Sequence, residues 1–141
     1  MNRVFADANF WIARFNPKDP WHTSALAAQK QIGNARIVTN EVVLTEFLDH
    51  YSKQPKLVRE QVAALVRQIR ADHKINVLPQ TPESFERGFA LFGSRLDKEW
   101  GMSDCISMSD MTSQGLTQVL TWDDHFRQAQ FEILMQPVQS N

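Results

Sequence analysis

The chain has 141 residues, a formal net charge of -1, 43% hydrophobic and 22% charged residues, enough for one domain with one core and too short for two. No apolar run approaches the roughly 20 residues of a membrane span, and the single Cys105 excludes an intrachain disulfide and a cysteine-based zinc site. A near-neutral chain has no overall field to draw in nucleic acid, so any polyanion would be held by local basic groups and metal.

Residues 1-141 are therefore read as one unit. An acid at Asp7 comes too early for a signal peptide, and the chain is expected to be soluble and cytoplasmic. Short apolar runs alternate with stretches of helical period, which predicts an α/β domain, a parallel β-sheet covered by helices on both faces. The first strand, Arg3 to Ala6, ends on Asp7. That places a carboxylate at a strand's carboxyl end, where open α/β sheets take their ligands, although a helix N-cap would account for the same residue.

After a second strand, Arg36 to Thr39, a helix carries Glu46 three and four residues beyond Val43 and Val42, on its apolar side. A charge there is costly unless paired, or unless that edge of the helix is solvated. A further helix over Lys56 to Asp72 aligns Val58, Val62, Leu65, Val66 and Ile69 on one stripe, with Arg59, Arg67 and Arg70 among its polar positions. Ile75 to Leu78 reads as the third strand. Thr81-Pro82 then opens a helix as N-cap and first residue, along which Phe85, Phe89, Phe92 and Leu96 recur at spacings of four, three and four.

In Trp100-Gly101-Met102-Ser103-Asp104, Ser103 reads as an N-cap and Asp104 as the first residue of a helix, a position the helix dipole favours for any acid. A fourth strand, Gln118 to Thr121, runs into Asp123 and repeats the arrangement at Asp7. A fifth covers Glu132 to Met135. The tail from Gln136 to Asn141 is expected not to pack.

Asp7, Glu46, Asp104 and Asp123, gathered at one end of a sheet, would repel one another unless a cation compensates. Oxygen ligands select a hard ion, Mg²⁺ or Mn²⁺, whereas His22, His50, His73 and His125 are dispersed and form no zinc motif. Such a site suits phosphoryl chemistry. Trp122, beside Asp123, offers a face on which a base can stack, with burial the commoner use of an aromatic. Arg14, Lys18, Lys98 and Arg127 are read as solvated charges or as guides for a phosphate backbone. Cys105 reads as buried helix packing.

Four stretches, in order, resemble the PIN-domain ribonucleases, and among them the single-domain VapC-type toxins of toxin-antitoxin pairs. They are Asp7-x-Asn9, the run Val43-Leu44-Thr45-Glu46-Phe47-Leu48, the segment from Asp97 to Ser107 around Asp104, and Thr121-x-Asp123-x-x-Phe126. The resemblance covers nearly the whole chain. It implies a parallel sheet sandwiched by helices, one or two Mg²⁺ or Mn²⁺ ions, and endonucleolytic hydrolysis of RNA by metal-activated water. By the same likeness Asp7, Asp104 and Asp123 hold metal directly, and Glu46 does so directly or through water. Asn9, Ser107 and Thr121 match supporting positions that orient carboxylates or phosphate oxygens. A cognate antitoxin and a homodimer are also implied.

Two departures stand out. Ala8 occupies a position where a hydroxyl residue is common, and Gln130 precedes Phe131 where glycine is frequent. Two other readings compete with the nuclease. A receiver-like Mg²⁺-binding phosphoacceptor module needs an acid after the middle strand, where Ile75-Asn76-Val77-Leu78-Pro79 has none. A catalytically silent PIN scaffold binding RNA or a partner protein would have no use for four mutually repelling acids.

Overall fold

The computed structural model describes residues 2–138; Gln139, Ser140 and Asn141, the end of the tail expected not to pack, lie outside the described residues. The chain runs β1 (Arg3–Ala6), α1 (Ala8–Phe15), α2 (His22–Ile32), β2 (Arg36–Asn40), α3 (Glu41–His50), α4 (Lys56–Ala71) and β3 (Ile75–Leu78). It continues through α5 (Pro82–Ser94), α6 (Met102–Ser113), β4 (Gln118–Leu120), α7 (Asp124–Gln128) and β5 (Glu132–Ile133). The five strands form one sheet in the order β3-β2-β1-β4-β5, and every pairing is parallel. A receiver module would follow the order 2-1-3-4-5, so the topology removes that alternative.

Central β1 explains the rest. Val4, Phe5 and Ala6 are fully buried, as a strand covered on both faces requires, and Phe5 stands in register with Val38 on one side and Val119 on the other. Helix α4 buries Val62 and Ile69 of its predicted stripe, with Val58, Leu65 and Val66 partly covered, while Arg59, Arg67 and Arg70 face solvent.

Helix α5 starts where Thr81-Pro82 predicts. Thr81 accepts from the Ser84 backbone, and the Ser84 hydroxyl accepts in return from the Thr81 N–H, which closes a capping box. Its apolar stripe does not face the core. Phe85, Phe89 and Phe92 are 45%, 57% and 40% exposed. Leu96, expected on the same helix, lies past its end at Ser94 and is 78% exposed. The face packed against α6 is the one bearing Ser84 and Gly88. Gly88 is needed there, because a Cβ would lie 2.5 Å from Ile106 Cγ1 and 2.9 Å from Ile106 Cα.

Several boundaries differ from the sequence expectation. Helix α6 begins at Met102 with Gly101 as N-cap, so Ser103 lies inside the helix and Asp104 is its third residue. Strand β5 ends at Ile133. Even so, Leu134 and Met135 stay buried and donate to the carbonyls of Val119 and Thr121 at 2.9 and 3.2 Å. The start of the tail is tied down, since the Gln136 carbonyl accepts from the Ser24 hydroxyl. No helix among the described residues is long and apolar enough to cross a membrane.

Candidate metal centre

The strand order reverses between β1 and β4, and the crevice beyond the carboxyl ends at such a reversal is where open α/β sheets bind ligands. Asp7 leaves β1 there, its N–H donating to Leu120 O at 3.1 Å. Thr121, which follows β4 and is fully buried, donates its hydroxyl to Asp7 Oδ2 at 3.1 Å and accepts from the Asp123 N–H at 3.1 Å. Helix α3 packs against α1 and α6 and contributes Glu46; the first turn of α6 contributes Asp104. Asp7, Glu46, Asp104 and Asp123 together line a cleft of about 490 Å³, with Asn9, Ile12, Asp49 and His50 among its other walls.

The capping explanations divide. Asp7 occupies the N-cap position of α1, yet its side chain makes no capping bond. Asp123 does cap, with Oδ1 accepting the His125 N–H at 2.9 Å.

Burial pushes the Asp7 carboxyl up to about 7, and the neighbouring Asp104 and Asp123 add to the rise. Glu46 is pushed up to about 7 by burial first, then by Asp7, Asp104 and Asp123. Burial also raises Asp104, against a hydrogen bond from His125 that lowers it. In the same cleft Asn9 Oδ1 is buried with no hydrogen-bond partner. A set of oxygen acceptors that raise one another's pKa, with one acceptor atom unpartnered, fits a hard divalent cation.

His125 is the site residue that the dispersed histidine pattern hides. Its Nδ1 lies 3.1 Å from Asp104 Oδ2 and 3.6 Å from Asp123 Oδ1, and one donor atom from each of the three residues falls within 4.8 Å of the others. The available signal was positional, two residues after an acid that caps a helix at a strand end.

Ser107 sits one helical turn beyond Asp104 but turns away from the cleft. Its hydroxyl accepts from Asn40 Nδ2 at 3.2 Å, and the same Asn40 nitrogen donates to the buried Asp110 at 2.9 Å. Asn40 also caps α3 through the Val43 N–H, so this network joins the start of the Glu46 helix to the Asp104 helix. Cys105 is fully buried. Trp122 is 41% exposed and stacks on Trp21, with centroids 5.7 Å apart and planes 14° from parallel. Arg14 bonds to Gln29, and Arg127 pairs with Asp124.

A family model described as the PIN domain matches residues 4–132. No curated protein matches the sequence. Among solved structures the chain is similar to the Mycobacterium tuberculosis toxin VapC20, described as cleaving the Sarcin-Ricin loop, with 21% identity and a TM-score of 0.81 over 91% of this chain and 95% of that one. It is also similar to VapBC2 from Rickettsia felis bound to a promoter DNA fragment, with 14% identity and a TM-score of 0.68 over 93% and 96% of the two chains. FitAcB from Neisseria gonorrhoeae gives 13% identity and a TM-score of 0.65 over 95% and 97%. At these identities the likeness shows a shared fold.

Proposed function

The chain belongs to the PIN-domain family, and from that premise we propose that it is a metal-dependent endoribonuclease, the toxin of a VapBC-type pair, acting as one PIN-like domain in the cytoplasm. The observation that carries this reading is the meeting of Asp7, Glu46, Asp104 and Asp123 in one cleft at the sheet reversal, with two of the carboxyls pushed up to about 7. Acids so placed are costly to a fold unless a cation is their partner.

In this reading Asp7, Asp104 and Asp123 hold Mg²⁺ or Mn²⁺ directly, and Glu46 does so directly or through water. When bound, the ion lowers the pKa of water and neutralises charge on the phosphate. Thr121 ties the Asp7 carboxylate to the Asp123 backbone N–H through its one hydroxyl. Asn9 Oδ1 supplies a free acceptor for water or substrate. Burial and the neighbouring acids push the Glu46 carboxyl up to about 7 without metal, a rise that a bound cation would offset.

For partners, the VapBC2 neighbour supports a cognate antitoxin that covers the cleft. The exposed stripe of Phe85, Phe89, Phe92 and Leu96 supports a second copy of the chain as its cover.

Cleavage of a mixed RNA pool by the purified protein with Mg²⁺ or Mn²⁺, against EDTA and against Asp104→Asn, tests the reading. The Sarcin-Ricin loop, which VapC20 is described as cutting, belongs in the pool. Metal-dependent cutting that the variant loses supports the nuclease and its site. Equal cutting by both proteins overturns the site, and no cutting by a folded, metal-loaded protein turns the reading toward a silent RNA- or partner-binding scaffold.

A further inference from the structure

The four-acid description leaves out the nitrogen donors nearby: His50 lines the cleft, and His125, outside its lining, stands directly against two of the acids. Helix α7 delivers His125 in a fixed place. The His125 backbone N–H is bonded to Asp123 Oδ1 at 2.9 Å, and the next residue, Phe126, is fully buried. The ring is therefore held against both acids, with Nδ1 3.1 Å from Asp104 Oδ2 and 3.6 Å from Asp123 Oδ1. Two neighbouring ligands of a six-coordinate ion with bonds of roughly 2.1–2.2 Å stand about 3.0–3.1 Å apart. The Asp104–His125 separation, a hydrogen bond in the metal-free chain, matches that edge, while Asp123 at 3.6 Å stands wider; an ion bound there takes the place of the Nδ1 proton.

Taking the cleft to be a metal centre, as in the proposed function, we propose that His125 Nδ1 is a ligand of the divalent ion beside Asp104 and Asp123, and that this imidazole biases the centre toward Mn²⁺ over Mg²⁺. Magnesium keeps an all-oxygen shell and gives up water reluctantly. Manganese accepts the same carboxylates and, although it stands at the weak end of the transition-metal series, tolerates a nitrogen ligand in a mainly oxygen shell better than magnesium does. Three carboxylates, those of Asp7, Asp104 and Asp123, to one imidazole keep the centre hard enough for manganese.

The test loads the full chain with Mn²⁺ and reads electron spin-echo modulation from directly bonded ¹⁴N, followed by competition with Mg²⁺. The expected result is one imidazole coupling in the wild type, lost in His125→Gln, with the Mn²⁺-over-Mg²⁺ preference falling roughly tenfold or more in that variant. Bound Mn²⁺ without nitrogen coupling in the wild type overturns the assignment without needing any variant to fold. Coupling that survives in His125→Gln also overturns it and moves the nitrogen to His50, which lines the same cleft. Manganese that stays entirely free in solution overturns the metal centre itself. Neither readout uses RNA, so a protein that binds Mn²⁺ through nitrogen but cuts no RNA separates failure of the nuclease reading from failure of this one.

Discussion

The Thr121 hydroxyl joins the two strand-end acids, donating to Asp7 Oδ2 and accepting the Asp123 N–H, each at 3.1 Å. One hydroxyl has one proton to give, so both bonds depend on a single side-chain orientation. Thr121→Val keeps the shape and removes both. RNA cleavage should fall about 10- to 100-fold and stability by about 1–3 kcal/mol, with Thr121→Ser recovering most of each. Cleavage rates on one RNA and urea melts measure the two effects, and a valine variant as active as wild type would show the bridge to be idle.

Asp7 and Glu46 give the metal-free protein a particular pH dependence. Both are raised to about 7 from ordinary values of 3.8 and 4.5, so across that interval the folded chain binds protons the unfolded chain has released. Their contribution to stability is whole below the unfolded values, declines as pH rises toward about 7, and is gone above it. In EDTA the thermal midpoint should therefore drop between about pH 5 and about pH 8, and Asp7→Asn should flatten the slope. Added Mn²⁺ should raise the midpoint more at the higher pH, since it compensates charges present only there. A metal-free midpoint that rises across the interval would contradict the assigned burial of these acids.

Gly88 sets the distance between α5 and α6. Any Cβ there meets the Ile106 backbone as well as its side chain, with Cα at 2.9 Å and N at 3.0 Å. Gly88→Val should cost about 1–3 kcal/mol through overpacking and, by moving the helix that carries Asp104, should lower cleavage too. Trimming the opposite side chain with Ile106→Ala should not rescue it. Rescue would place the clash on the side chain alone.

Gln130 has φ of 73°, the one positive value on a non-glycine residue among those described. An L-residue pays about 1–2 kcal/mol to hold that conformation, part of which glycine returns as extra freedom in the unfolded chain. Gln130→Gly should raise the thermal midpoint by about 2–4 °C, read by calorimetry, and should leave RNA cleavage unchanged.

The stripe on α5 makes a prediction about association. Phe85 and Phe89 stack with centroids 6.1 Å apart and stay about half exposed. If a second copy covers them, Phe89→Asp should convert the particle from twice the chain mass to one chain mass by light scattering. It should do so without unfolding the chain, because this face of α5 is not in the core. An unchanged mass, or a wild type that is already one chain, counts against the homodimer.

Much of the fold was legible because its signals are local. The start of β1, the stripe of α4 and the Thr81-Pro82 entry to α5 each follow from a few neighbouring residues. The acids were legible for a related reason, since a carboxylate directly after a buried strand, or on the apolar side of a helix, conflicts with its surroundings. What the sequence withheld depends on contacts between distant residues. Ser107 turns toward Asn40, 67 positions away, and periodicity carries no trace of that bond. The α5 phenylalanines mark an apolar face without saying whether the core or another molecule covers it. His125 looked isolated because the acid that its ring meets at 3.1 Å, Asp104, lies 21 positions earlier.

Asp7 meets Asp123 because β1 pairs with β4, and β4 is not reached until residues 118–120. A polypeptide emerging from the ribosome carries Asp7, Glu46 and Asp104 while one side of β1 still has no neighbour. The acidic cleft is thus among the last features synthesis can complete. A product that stops before β4, even one that has folded its first three strands, lacks Asp123 and so has only three of the four acids of the cleft.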